Sequence, residues 1–64
     1  MKIDDDVEKI NRLLVPLLGN LRLVNLWWNT PNYSLDMQTP EDVWEYDRKR
    51  VFEYIRSQYS GDYS

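Results

Sequence analysis

The side chains that could act chemically in this sequence form two charged runs and a pair of indoles. Asp4-Asp5-Asp6 is its longest run of carboxylates. Converging carboxylates can bind a metal, share a proton or grip a partner. Three consecutive residues at a helix start, however, point around the axis and do not meet easily. The plainer reading is that they cap a helix and stay solvated. Arg48-Lys49-Arg50 is the only positive cluster, and it lies among Glu45, Asp47 and Glu53 in a chain of formal charge −3. With a pI near 4.7, nucleic acid is not expected as the main partner, because phosphate contacts need clustered Lys and Arg. A solvated helix face is favoured over it, with a charged contact to a protein as the middle reading.

Histidine and cysteine are both absent. Nucleophilic catalysis therefore lacks its usual tuned base, and zinc lacks its usual ligands. Neither Gly19 nor Gly61 belongs to a phosphate-cradling loop. The expectation is a protein that is not an enzyme and holds no metal and no cofactor.

Aromatic residues are the remaining resource. The chain has 64 residues, enough for a single domain. A domain of that size buries only about 60% of its unfolded surface, so stability is marginal without a staple or a partner. Three Trp, five Tyr and one Phe offset this, because each buries roughly 150–250 Å². Trp27 and Trp28 are adjacent. Neighbours on a helix point about 100° apart, so one face rarely buries both. One indole is expected in the core and the other under the following loop or against a partner. Trp28 and Tyr33 are carried as partner contacts. Tyr33, Tyr46, Tyr59 and Tyr63 together exceed what so small a core can bury, which points to an interaction surface for another protein or for a second copy.

Helices must position these groups. Asp4, Asp5 and Asp6 offer N-cap oxygens, and Asp5 with Glu8 has capping-box spacing. Ile3, Val7, Ile10, Leu13, Leu14, Leu17 and Leu18 recur at threes and fours, the pattern of an amphipathic helix. Pro16 should kink or stop it near Leu14–Val15, and Gly19-Asn20 can supply a left-handed stop. A second helix is predicted from about Asn20 to Trp28, apolar over most of its surface and so either central or shared with a partner. Thr30-Pro31-Asn32 makes a tight corner anchored by Leu35, and Thr39-Pro40 caps and opens the next helix. From Pro40 either one helix continues to about Tyr59, or a short one ends near Tyr46 and Asp47 caps another from Arg48 to about Gln58. Val51, Phe52, Tyr54, Ile55 and Tyr59 would form its buried side, with Ser60-Gly61 at its end. No strand alternation appears. The fold class is all-α: a small bundle of three to four short helices with a Thr-Pro-Asn corner. The acidic start does not suit a signal peptide, and the apolar run Leu13 to Trp28 is too interrupted to span a membrane. The expected setting is cytosolic.

Trp27-Trp28-Asn29-Thr30-Pro31-Asn32-Tyr33-Ser34-Leu35, followed by Thr39-Pro40, resembles the toxin-binding domain of the Xre/MbcA/ParS family of bacterial antitoxins. In that pattern a tryptophan and an apolar residue precede Thr-Pro-Asn, a leucine follows, and a second Thr-Pro or Ser-Pro opens a helix. Trp27 matches the tryptophan, Trp28 the apolar position, Leu35 the leucine and Pro40 the second proline. Members usually have glycine two residues after the leucine, where this chain has Met37. They also usually carry an N-terminal helix-turn-helix part, for which residues 1–26 are too few. The resemblance implies a small helical domain that binds and inhibits a toxin of the RES type, an NAD-consuming enzyme. It further implies that Tyr59, Gly61, Asp62, Tyr63 and Ser64 approach the toxin's active site. A stand-alone inhibitor or adaptor of phage or mobile-element origin, acting on another host protein, is the alternative.

Overall fold

The computed structural model describes residues 2–60. Four helices follow one another: α1, Asp5–Leu18; α2, Leu21–Trp28; α3, Pro40–Tyr46; and α4, Arg48–Ser60. A single 3₁₀ turn, Tyr33–Leu35, sits in the connection between α2 and α3. The all-α bundle is as predicted, and the region after Pro40 takes the two-helix form.

Caps explain most of the boundaries. Asp4 is the N-cap of α1, its carboxylate accepting from the Val7 N–H at 3.0 Å. The expected Asp5–Glu8 capping box does not form, because Asp5 already lies inside the helix and the residue three after Asp4 is Val7. Asn20 caps α2 by accepting from the Leu23 N–H, and Thr39 caps α3 by accepting from the Asp42 N–H. Asp47 serves two helices. Its N–H closes α3 on the Val43 carbonyl, while its carboxylate accepts from the Arg50 N–H in the first turn of α4.

Of the two expected effects of Pro16, a kink or a stop near Leu14–Val15, the stop does not occur; the helix runs on to Leu18. Proline removes one backbone donor, but the turn beyond it is held by the Gly19 N–H on the Val15 carbonyl at 2.8 Å. Leu18 also packs against the core. Gly19 then ends the helix at φ 114°, a conformation that favours glycine.

The core consists of Val7, Ile10 and Leu14 from α1, Val24 and Trp28 from α2, Leu35 from the corner, Val43 and Trp44 from α3, and Val51 and Ile55 from α4. Every element contributes, so no helix is stabilised by propensity alone. The apolar stripe of α1 is wider than the core it meets. Ile3, Leu13 and Leu17, which share its periodicity, are exposed along its outer edge. Tyr59, expected on the buried side of α4, is also about half exposed at 49%. Its hydroxyl donates to the Leu13 carbonyl and so ties the end of α4 to the side of α1.

Candidate functional site: the Thr-Pro-Asn corner and its aromatic support

The corner hangs from the end of α2 by local bonds. The Thr30 hydroxyl donates to the Leu26 carbonyl at 2.7 Å, and the Asn29 side chain donates to the Asn25 carbonyl. Pro31 then turns the chain away, and Asn32 becomes the hub of the loop. Its backbone carbonyl accepts from both the Leu35 and Met37 N–H groups, and its N–H donates to the Gln38 carbonyl. Its side-chain oxygen accepts from the Ser34 N–H at 2.9 Å, the Asx-type turn that makes asparagine suit this place. The pairing of Asn32 with Gln38 is an isolated antiparallel bridge, not a strand.

The loop is closed by two consecutive residues in left-handed backbone, Asp36 at φ 57° and Met37 at φ 63°. Neither is glycine, and for ordinary side chains this region costs roughly 1–2 kcal/mol per residue. Surrounding bonds hold them there. Gln38 donates to the Leu35 carbonyl and accepts from the Tyr46 hydroxyl, and Arg50 grips the Asp36 carboxylate at 2.6 Å. Leu35 plugs the loop into the core at 1% exposure. Tyr33, by contrast, stands out at 87% exposure, and Met37 and Tyr46 are also exposed.

Beneath the corner lies an unbroken line of aromatic contacts. Tyr54 stacks with Trp27 at 6.0 Å, and Trp27 meets Trp28 edge-on at 5.1 Å. Trp28 meets Trp44 edge-on at 5.6 Å, and Trp44 leans on Phe52 at 5.5 Å. These separations lie in the favourable range for aromatic pairs. The line joins α2, α3 and α4, and Leu35 ties the corner into the same core cluster as Trp28 and Trp44.

Trp28, expected as a partner contact, lies in the core at 2% exposure. Its indole N–H is spent on Asn11 at 2.7 Å, so it is not available to a partner in this conformation. Trp27 is the partly exposed member of the pair, and Tyr54 stacks on it. Of the motif residues, Thr30, Asn32, Thr39 and Pro40 cap or shape the corner as described above. Of the tail positions, Tyr59 is exposed near α1, while Gly61, Asp62, Tyr63 and Ser64 lie outside the described residues.

Neither charged run stands free. Arg48 pairs with Asp4 at 2.9 Å and Asp6 at 3.2 Å, and Arg50 pairs with Asp36. The Asp4 carboxyl is held below the usual carboxylate range, first by the Val7 N–H and then by Arg48. Sequence reasoning missed this clasp, since its partners are 42 and 44 residues apart. Among the described residues no cluster of acidic groups is placed to hold a metal ion, and no helix is long and apolar enough to cross a membrane. What the surface offers is shape: a braced loop carrying an exposed tyrosine. Comparison with family models, with curated proteins and with solved structures yields no match for this chain.

Proposed function

We propose that this chain is an antitoxin-like interaction module that binds a partner toxin of the RES, NAD-consuming type and inhibits it by occlusion, without chemistry of its own. The observation that carries the reading is the backbone at Met37. The antitoxin pattern usually has glycine at this position, two residues after the motif leucine. Here the residue sits at φ 63°, in the region that favours glycine. The turn thus has the conformation that a glycine at this position would favour, which supports the resemblance. Leu35 in the core and Asn32 as the hub of the corner are consistent with the same motif.

The partner-facing groups in this reading are Tyr33 on the corner, Tyr59 at the end of α4, and residues 61–64 after it. An exposed tyrosine on a braced loop gives a partner a large contact at little entropic cost. Inhibition by covering the toxin's active site requires no titratable group in the antitoxin.

Co-expression tests this. The expected result is a RES-type reading frame beside this gene, whose product arrests growth alone and is neutralised when both are expressed. Growth arrest that persists despite soluble, folded antitoxin would reject the RES assignment and favour an adaptor or inhibitor with another target.

A further inference from the structure

One residue, Asp47, separates α3 from α4: the first ends at Tyr46 and the second begins at Arg48. The hydrogen bonding of α3 already reaches into that residue. The Asp47 N–H donates to the Val43 carbonyl at 2.7 Å, the four-residue step of an α-helix. The chain departs only at the dihedrals of Asp47 itself, φ −154° and ψ 77°. Beyond it the Arg50 N–H turns back to Asp47, to its carbonyl at 3.2 Å and its carboxylate at 3.3 Å. Helical values at this one residue would pass the Arg48, Lys49 and Arg50 N–H groups to the carbonyls of Trp44, Glu45 and Tyr46.

The side chains suit a continuous helix as well as a broken one. Asp47 and Lys49 are exposed, so their own packing does not hold the break. Arg48, which sits over Trp44, follows it by four residues, the spacing at which neighbours on one helix meet. That contact is therefore compatible with either form. Trp44, Val51 and Ile55 are all buried. On a continuous helix they fall within about 40° of arc, because steps of seven and eleven residues nearly close whole turns.

A continuous helix carries α4 away from its own α1, and the place it leaves fits another α4. There Val51 and Ile55 close the core, Tyr54 stacks on Trp27, Arg48 pairs with Asp4 and Asp6, and the Tyr59 hydroxyl donates to the Leu13 carbonyl. A second copy opened in the same way supplies each of these groups and receives them in return. The exchange keeps these contacts and adds backbone bonds at the connection, and a short connection favours it. Opposing it are the cost of association and Asp47 itself, whose carboxylate caps α4 and whose side chain suits a helix interior poorly. We propose that Asp47 is a hinge through which two copies of this chain exchange α4, forming a dimer in which residues 40–60 run as one helix.

Asp47→Ala tests this, because it removes the cap and places the best helix former at the hinge. The full chain and the variant are refolded from urea at high concentration and followed by light scattering. The variant should dimerise at least about tenfold more tightly than the parent, since each of two hinges loses its cap. Its helicity by circular dichroism should rise. Two glycines inserted after position 47 of the variant should return it to monomer, because a longer connection lets α4 fold back on its own chain. If Asp47→Ala does not fold, the parent decides. A parent dimer that Arg48→Pro abolishes supports the exchange, since proline suits the first residue of α4 but blocks a helix running through it. A parent that stays monomeric then overturns it. Where Asp47→Ala folds, its remaining a monomer at every concentration overturns the exchange. So does a dimer that survives the glycine insertion, because such a dimer joins its copies through a surface. No toxin enters this assay, so its failure leaves the RES reading standing, and failure of the co-expression test leaves this one.

Discussion

Arg48 sits over Trp44, its guanidinium carbon 4.6 Å from the ring centroid, and from there reaches the carboxylates of Asp4 and Asp6. One side chain therefore links the start of α4, the core indole of α3 and the start of α1. Trp44 is 3% exposed, and the arginine stem and head form part of its cover. The contact combines an ion pair in water with a cation over an aromatic face. The second is the more durable, because exposed ion pairs are weakened by solvent and salt.

Replacing Arg48 by Met keeps most of the apolar stem and removes the charge. Stability should fall by about 0.5–1 kcal/mol, the worth of a cation–π contact at an exposed site. Urea unfolding followed by tryptophan fluorescence measures it. Arg48→Lys should recover little, because an ammonium cannot stack and face two carboxylates at once. Full recovery by Lys would show that charge alone matters.

The left-handed residues of the corner make an opposite prediction. Met37 is exposed and at φ 63°, so Met37→Gly loses little packing and relieves roughly 1–2 kcal/mol of backbone strain. Glycine's extra freedom in the unfolded chain takes back about 0.5–1 kcal/mol. At about 4–8 °C per kcal/mol for a domain this small, a net gain of about 0.5–1 kcal/mol should raise the melting temperature by roughly 3–7 °C. A fall would mean that the methionine side chain contributes to folding in a way its exposure does not suggest.

Asn32 tests the corner from its other side. Asn32→Ala removes the acceptor of the Ser34 N–H and should cost about 1 kcal/mol, like the loss of a helix cap. Asn32→Asp should retain most of that, since the accepting oxygen remains. Thermal unfolding of the two variants side by side separates the hydrogen bond from the turn propensity.

Acid should weaken the protein partly through Asp4. Its folded-state carboxyl is depressed below the ordinary 3.8, chiefly by the Val7 N–H and then by Arg48. A depressed acid stabilises the fold above its unfolded value and loses that contribution as pH falls toward the lower folded value. Asp4→Asn keeps a capping oxygen but cannot titrate. The variant should show a shallower loss of stability below about pH 4, measured by urea midpoints across an acid series. An unchanged slope would assign the acid sensitivity to other carboxylates.

Local chemistry made much of this fold readable from the chain. Thr39 and Asp47 cap helices where their side chains and spacing indicate, because a cap depends on residues within one turn; Asn20, read as part of a left-handed stop, instead takes extended backbone and caps α2. The corner was legible for the same reason, since Pro31 and Asn32 act on their immediate neighbours. Long-range facts were not. Nothing near Arg48 announces Asp4 and Asp6, and nothing in the Trp27-Trp28 pair says which indole Asn11 will meet. The width of the leucine stripe was visible, but how much of it the core would use depended on where α4 crosses α1. The left-handed turn at Asp36 and Met37 had no glycine to signal it.

Titrating the NAD turnover of a RES-domain toxin, the partner the proposal expects to be encoded beside this gene, against the purified chain tests the central claim most directly. Occlusion predicts that turnover falls to near zero at a fixed molar ratio, and that Tyr33→Ala or removal of residues 61–64 raises the amount required while helicity is kept. Undiminished turnover in the presence of excess folded protein would contradict the account.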